Sequence, residues 1–398
     1  MSLPSYPLAT SSWDDAEHQA IQRVIESGMF TMGAHVQDFE EQFAAYVGSR
    51  YCVMVNSGSS ANLLMVAALR FRKKNPLQPG DEIIVPAVSW STTYYPLQQY
   101  GLKLKFVDID RDTLNYDISA LADAVTDKTR AIMVVNLLGN PNDFSAIAQT
   151  IHGREIVVIE DNCESMGARF NGRYAGTFGI MGSFSTFFSH HISTMEGGMV
   201  VTDNEELYHI MLSLRAHGWT RNLPKHNTVT GCKSDDPFVE SFKFVLPGYN
   251  LRPLEMSGAI GIEQLRKLPS LILERRRNAE KFLRLMKRYS HLRVQKEIGE
   301  SSWFGFSVIV ESGAPFTRSD LVRLFSRHNI EVRPIVAGNF AENDVLRWFD
   351  YEIHRSLKNA ADVDKNGLFI GNHHYPLDKE FALLQQALDE AVALGSTS

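Results

Sequence analysis

The 398-residue chain is predicted to be an α/β protein, with a large domain built on a mostly parallel central sheet and a smaller C-terminal α/β domain. Two observations carry the large domain: short apolar runs alternate with helical periods through the first half of the chain, and those runs are too uniformly apolar to be strands with one wet face. A third carries the division: after the Pro247-Gly248 turn a long helical stretch opens, followed by a second set of strand-like and helix-like segments. The expected parts are 1–253 and 254–398.

Ser12 followed by Asp15 resembles a capping box, and Ala16, Ala20, Ile21, Val24 and Ile25 share a helical face before Gly28. Val36, Phe39, Phe43 and Val47 repeat the pattern up to Gly48. Tyr51 to Val55 then reads as the first central strand, with further runs at Glu82 to Val85, Lys103 to Val107, Ala131 to Val135, Ile156 to Ile159, Ser183 to Phe188 and Met199 to Val201. Leu254 to Tyr289 reads as one or two helices broken near Pro269. Strands at Phe304 to Val310, Glu331 to Arg333 and Leu368 to Ile370, a helix near Ser319 to His328 and a last helix from Asp378 complete the smaller domain. No role is expected for Met1 to Leu3 or Gly395 to Ser398.

With 44% hydrophobic residues, a net charge of −6 and a pI near 6.1, the chain has the composition of an enzyme-sized globular protein and no basic field for nucleic acid. No apolar run is long enough to span a bilayer, and Met1 to Pro7 lacks a basic segment leading an apolar core, so the expectation is a cytoplasmic protein with no membrane partner. Cys52, Cys163 and Cys232 are far apart and lack metal-site spacing, so reduced thiols and no iron–sulfur cluster are expected.

Ligands of open α/β sheets gather beyond the carboxyl ends of the strands, and the chemically interesting residues follow the apolar runs. Asn56-Ser-Gly58-Ser59-Ser-Ala-Asn62 opens a helix, so unpaired backbone N–H groups converge where a phosphate could sit; a plain Ser-capped helix is the alternative. Asp161 could pair with the protonated nitrogen of a cofactor ring, or merely cap a helix. Trp90 could stack on such a ring or belong to the core. Ser183 and Ser185 share one side of a strand, where Ser185 could add a phosphate contact or simply meet solvent. Arg221, Lys243 and Arg252 could meet phosphates or carboxylates of a substrate, although each taken alone is better read as a solvated surface charge; His217 joins Arg221 and Arg252 as a candidate substrate contact, with a third metal ligand beside His190 and His191 as its alternative. A metal is not expected at His190 and His191, because neighbours on an extended chain point to opposite sides; His191 reads as a packing residue.

Together these pieces resemble the sugar aminotransferases of the DegT/DnrJ/EryC1/StrS family, fold-type-I enzymes that use pyridoxal phosphate (PLP). The resemblance runs over nearly the whole chain: Ser-Gly-Ser at 57–59, Trp90, Glu-Asp at 160–161, Ser-Phe-Ser at 183–185, Glu-Gly-Gly at 196–198 and Gly-Tyr-Asn-Leu-Arg at 248–252. In that family a lysine stands six residues before the Glu-Gly-Gly turn, and here that position is His190. An imidazole moves protons but cannot hold the cofactor covalently. The resemblance implies that Gly58, Ser59, Ser185 and, across a homodimer interface, Asn250 hold the phosphate, that Trp90 stacks, and that Asp161 meets the ring nitrogen. Glu164 replaces the usual glutamine beside the cofactor.

Pro86-Ala-Val-Ser-Trp-Ser-Thr-Thr-Tyr-Tyr-Pro96, Ser189-His-His-Ile192 and Arg215-Ala-His-Gly-Trp-Thr-Arg-Asn222 are similar to a lysine-free branch of the family. That likeness implies non-covalent pyridoxamine phosphate (PMP), GDP-4-keto-6-deoxy-D-mannose as substrate, loss of its C3 hydroxyl on the route to colitose, and L-glutamate as amino donor. His190 is the implied acid and base. The readings left open are an aminotransferase that tolerates histidine and a silent cofactor-binding protein; clustered cysteines for an iron–sulfur-dependent relative are missing.

Overall fold

The computed structural model describes residues 5–394; the terminal segments given no role, at either end, lie outside them. Helices α1 (Asp15–Ser27) and α2 (Ala34–Val47) lead into strand β1 (Tyr51–Val55) and helix α3 (Gly58–Phe71). Alternation continues through β2 (Glu82–Pro86), α4 (Ser91–Gln99), β3 (Lys103–Val107), α5 (Ile118–Ala124), β4 (Thr129–Val135), α6 (Phe144–Thr150) and β5 (Val157–Asp161). A small hairpin, β6 (Arg169–Phe170) and β7 (Arg173–Tyr174), precedes β8 (Met181–Ser185), β9 (Gly198–Thr202) and α7 (Glu205–Arg215).

A second hairpin, β10 (His226–Asn227) and β11 (Gly231–Cys232), and the short α8 (Pro237–Ser241) come before the long helix α9 (Glu255–Met286). The remaining elements are β12 (Leu292–Arg293), β13 (Gly305–Val310), α10 (Arg318–Arg327), β14 (Tyr351–Ile353), α11 (Lys358–Asn366), β15 (Gly367–Gly371) and α12 (Asp378–Leu394).

The large sheet has eight strands in the order β1-β9-β8-β5-β4-β2-β3-β14, and β9 alone runs antiparallel to its neighbours. Successive residues of a strand supply opposite faces. Ile83, Leu104, Ala131 and Met133 face a core shared with α3 and α7, whereas Ile84, Ile132 and Val134 face one shared with α5 and α6. At the other end Met54, Phe184 and Val201 meet Phe39 and Phe43 of α2 and Leu268 of α9. The smaller sheet, β12-β13-β15, is antiparallel and packs Phe306 and Val308 on Phe282 of α9, Leu324 of α10 and Leu384 of α12.

Several expectations need correction. The first helix is capped by Asp14, whose side chain accepts from the chain while Glu17 returns the bond, so the box begins two residues after Ser12; Ile25 is exposed. Tyr51–Val55 lies at the sheet edge, because β9 inserts between it and β8. Strand β8 stops at Ser185, the last residue opposite β9, and the apolar Phe187 and Phe188 that extended the run are exposed in a turn. Helix α9 is continuous through Pro269. The proline faces outward, and the buried Leu265, Leu268, Leu271 and Ile272 around it hold the helix across the missing N–H bond. Glu331–Arg333 forms only an isolated bridge from Arg333 to Phe369. The topology also qualifies a division at 253/254, since Tyr351–Ile353 returns to pair with β3 of the large sheet.

One buried ion pair ties this frame together. Glu40 of α2 accepts from Arg215, the last residue of α7, and from the Met54 N–H at 2.6 Å, while Arg215 also donates to the Met54 carbonyl at 2.8 Å. Both side chains are nearly dry, and burial pushes the Glu40 carboxyl above its ordinary range. Removing one partner strands the other charge. Arg215→Met should therefore destabilise the protein by about 3–5 kcal/mol in denaturant unfolding. A change below about 0.5 kcal/mol, the range of ordinary surface substitutions, would show that the pair carries no such weight.

Candidate active site

Strands β1, β2, β5 and β8 end on the same edge of the sheet, and the predicted residues leave from those ends. After β1, Ser57 caps α3 by accepting from the Ser60 N–H at 3.1 Å. The first N–H groups of this 14-residue helix therefore point out of the sheet edge with no intrahelical partner. Gly58 is there for want of space: a Cβ would lie 2.7 Å from the Ser185 Cβ and 2.9 Å from the Cys163 Sγ. Gly198 is equally constrained, with a Cβ falling 2.3 Å from the Ser57 carbonyl oxygen. The Ser59 hydroxyl reaches Thr92 at 2.9 Å. Ser183 and Ser185 are both buried, so their shared face meets this helix terminus and not solvent.

Asp161 ends β5 and is buried. Its Oδ2 accepts from Asn62 at 2.8 Å and Thr93 at 2.7 Å, and its Oδ1 accepts from the Cys163 N–H at 3.2 Å. Asn62 is in turn held by the Ser183 hydroxyl at 2.6 Å. These bonds fix the orientation of the carboxylate at the strand end. Glu160 is also buried, but it accepts from the Gly176 and Gly179 N–H groups and Asn136, a wholly structural role. Glu164 accepts one bond, from the Leu138 N–H at 3.1 Å; burial, with Asp161 nearby, pushes its carboxyl up to about 7.

His190 sits in a turn, its N–H bonded to the Phe187 carbonyl at 2.9 Å, so the two histidines are not on an extended chain. Its Nδ1 lies 2.8 Å from the Cys163 carbonyl. A carbonyl only accepts, so Nδ1 carries the proton and Nε2 keeps its lone pair. Burial pushes the imidazole down to about 4, opposed by the bond to Cys163 and by Asp161 and reinforced by the cation of Arg275. His191 turns the other way, is buried, and donates from Nε2 to the Ser302 carbonyl at 3.2 Å. The described residues contain no group of three metal-ligating side chains.

Trp90 stands at the start of α4 with 57% of its surface exposed, so it is not a core residue. His217, Arg221, Lys243, Asn250 and Arg252 form a separate strip. His217 has a left-handed backbone (φ 61°), its N–H meets the Tyr249 carbonyl at 2.6 Å, and its ring lies 4.7 Å from Trp219. Arg221 lies 4.4 Å over the Trp219 ring, Lys243 pairs with Glu240 at 3.1 Å, and Arg252 donates to Asn250 at 2.9 Å. A bond from the Asn56 N–H to the Leu251 carbonyl at 3.0 Å joins the strip to the helix-start loop. Asn62, Thr93 and the Cys163 peptide were not singled out by sequence reasoning. Asn62 lies one helical turn after Gly58, which places both on one face, and that spacing was the available signal.

The residue set suits a flat aromatic phosphoester: helix N–H groups and hydroxyls for the phosphate, a buried carboxylate for a ring N–H, and an uncovered indole for the ring face. The DegT/DnrJ/EryC1/StrS aminotransferase family profile matches residues 11–380. The chain belongs to this family. Within the DegT/DnrJ/EryC1/StrS family it is 64% identical over 385 residues to GDP-4-keto-6-deoxy-D-mannose 3-dehydratase of Escherichia coli O55:H7 (strain CB9615 / EPEC), covering 96% of this chain and 99% of that protein. Identity to the Yersinia pseudotuberculosis protein of the same name is 61% over 94% of this chain and 96% of that one. A solved GDP-4-keto-6-deoxymannose-3-dehydratase with a trapped PLP-glutamate geminal diamine superposes with a TM-score of 0.95 at 64% identity, over 96% of this chain and 100% of that chain.

Two outcomes follow from this geometry. In Gly58→Ala the new methyl must displace Ser185 or Cys163; overpacking of about 1–3 kcal/mol should weaken PLP binding by roughly tenfold for each 1.4 kcal/mol, read by absorbance titration. Unaltered affinity would show that this close approach does not shape the phosphate cup. Glu164 holds a proton in the folded protein up to about 7 that the unfolded chain releases near 4.5, so its contribution to stability falls as pH rises between those values. Glu164→Gln should abolish that fall, seen as a smaller loss of Tm from pH 5 to pH 8; an identical loss would mean that Glu164 titrates normally.

Proposed function

We propose that this chain removes the C3 hydroxyl of GDP-4-keto-6-deoxy-D-mannose, using PMP held without a covalent bond to the protein, and that L-glutamate restores the amino group and leaves as 2-oxoglutarate. The observation that carries the reading is His190: its Nδ1–H is fixed on the Cys163 carbonyl at 2.8 Å, which leaves the Nε2 lone pair to move a proton, and the residue occupies the sequence position of the family's lysine.

Bound PMP supplies a primary amine to condense with the C4 ketone and a ring to take up the electron pair released beside that amine. The helix-start N–H groups at Gly58 and Ser59, with the hydroxyls of Ser59 and Ser185, hold the phosphate. Asp161 presents its carboxylate to the ring nitrogen, kept in place by Asn62, Thr93 and the Cys163 N–H. Trp90 covers the ring face. His190, neutral at pH 7, takes the proton from the carbon bearing the amine through Nε2 and, as imidazolium, delivers it to the departing C3 hydroxyl. The hydroxyl leaves as water, hydrolysis takes up the water that condensation and elimination released, and the net products are ammonia, 2-oxoglutarate and a 3-deoxy-4-keto sugar, the precursor expected on the route to colitose.

His217, Arg221 and Arg252 are assigned to the nucleotide sugar, with Asn250 reaching the cofactor phosphate of a second copy. The exposed Trp90, Phe187, Phe188 and Met195 support such a homodimer, since they leave apolar surface uncovered around the site. The reaction is placed in the cytoplasm on the strength of three free cysteines, and no helix among the described residues is long and apolar enough to cross a membrane.

The deciding experiment mixes the protein with PMP, glutamate and GDP-4-keto-6-deoxymannose and identifies products by mass. Ammonia and a 3-deoxy sugar are expected; an amino sugar would replace this reading with transamination. His190→Asn should lower the rate by about 10²–10⁴-fold, and His190→Lys should yield a borohydride-trapped covalent adduct with strongly reduced dehydration. A His190→Asn enzyme at the parent rate would remove His190 from the chemistry.

A further inference from the structure

We propose that Phe304, clamped from behind by the buried guanidinium of Arg275, is a positioning residue for His190 that sets the plane of the imidazole and shields it from water. The inference rests on the reading of His190 as the proton carrier and adds what controls that carrier.

The imidazole is enclosed on three sides. Cys163 holds Nδ1, the Phe187 ring stands edge-on at 6.1 Å, and the Phe304 ring lies 5.0 Å away at 54°. Phe304 also touches His191, at 5.6 Å, so one ring separates the two histidines from the small sheet. Only Nε2 of His190 is left without an assigned contact, the atom the reaction uses.

Phe304 is itself held in place. Its N–H bonds to the Leu138 carbonyl at 3.1 Å, and the preceding Trp303 takes a left-handed backbone (φ 48°) to bring it there. Arg275 of α9 donates to the Phe304 carbonyl at 3.0 Å and to the Asn372 carbonyl at 2.6 Å. Behind the ring Phe369 stacks at 6.0 Å, an approach that requires Gly305, whose Cβ would lie 2.2 Å from the Phe369 ring.

Arg275 is an unusual clamp, because carbonyls alone do not call for a cation. It is buried, its Nε has no partner, and among the described residues no ion pair to it is found, so that burial alone acts on its value. The charged and titratable groups around His190 are Asp161, Cys163 and Glu164 from the segment ending β5, His191 on its own turn, and Arg275 from α9. Burial is the largest cause of the lowered His190 value, Arg275 adds to it, and the Cys163 bond and Asp161 oppose it. Phe304 supplies part of that burial and fixes the residue through which Arg275 touches the site.

The test is an NMR titration of the His190 imidazole in the full chain, with and without PMP, the signal assigned by its loss in His190→Asn. The parent should titrate near 4. Phe304→Ala should raise the midpoint by about one pH unit or more toward the ordinary ~6.5, while Phe304→Tyr, which keeps the ring, should restore the parent value. If the alanine variant fails to fold, Phe304→Leu keeps the apolar volume without the flat ring and should raise the midpoint by less. In sugar dehydration kcat should fall with little change in KM, and the acid limb of kcat/KM should move up with the NMR midpoint. An unmoved midpoint in folded Phe304→Ala or Phe304→Leu overturns the inference while leaving the dehydration reading intact. A parent that titrates as expected but makes no deoxy sugar does the reverse.

Discussion

The backbone of one residue, Cys163, sets the spacing on which the site depends. Its N–H donates to Asp161 at 3.2 Å and its carbonyl accepts from His190 at 2.8 Å. The group proposed to answer a ring nitrogen and the group proposed to move protons are therefore joined through the backbone of one residue, with only its φ and ψ between two planar amides. Its position is inherited from the sheet: β5 and β8 lie side by side with Asp161 opposite Ser183, and the Gly58 turn of α3 closes on Cys163 and Ser185 with no room for a methyl group. A phosphate cup, a carboxylate and an imidazole are thus spaced by backbone, which shifts less than long side chains do.

The same few residues show how burial and hydrogen bonding compete. Glu160, Asp161 and Glu164 all lie at the end of β5, and burial alone raises a carboxyl because it penalises the charged form. Glu160 is completely buried and still sits above its ordinary range, although two backbone N–H groups and an amide serve it. Glu164, with one donor, is carried up to about 7. Asp161 accepts three bonds, which fix the direction of both carboxylate oxygens. In Glu160 burial outweighs three donors, and in Glu164, with one donor, it carries the carboxyl further.

Much of this could be read in the chain. Strands β1 to β5 gave themselves away as apolar runs because both faces are covered, and α2 because Val36, Phe39, Phe43 and Val47 fall on one stripe. Gly58, Asp161, Ser185 and His190 were visible because each lies at or just beyond a strand end. What escaped depends on partners far off in sequence. Tyr351–Ile353 is half exposed and becomes a strand only by pairing with Leu104 to Phe106. Pro269 reads as a break unless the packing around it is known. Phe304 and Arg275 carry no local signal at all, since their meaning lies in a contact with His190 across more than eighty positions. His217, Arg221, Asn250 and Arg252 were legible as polar residues near turns, but the strip they form is visible only once Asn56 is seen to bond Leu251.

Replacing lysine by histidine changes more than the capacity for a covalent bond. The burial that lowers His190 would lower an amine as well, and in relatives that effect makes a nucleophile. An imidazole whose Nδ1–H is occupied offers a single lone pair, and with a value near 4 it is a weak base and a strong acid. Those properties are unequal to the two steps asked of it. In the proposed reaction, taking a proton from carbon runs against the low value and needs support from elsewhere, which the proposal gives to the Asp161 carboxylate. Returning the proton to a departing hydroxide runs with it. A site tuned this way suits the elimination half of the proposed cycle, because an acid of that strength gives up its proton readily.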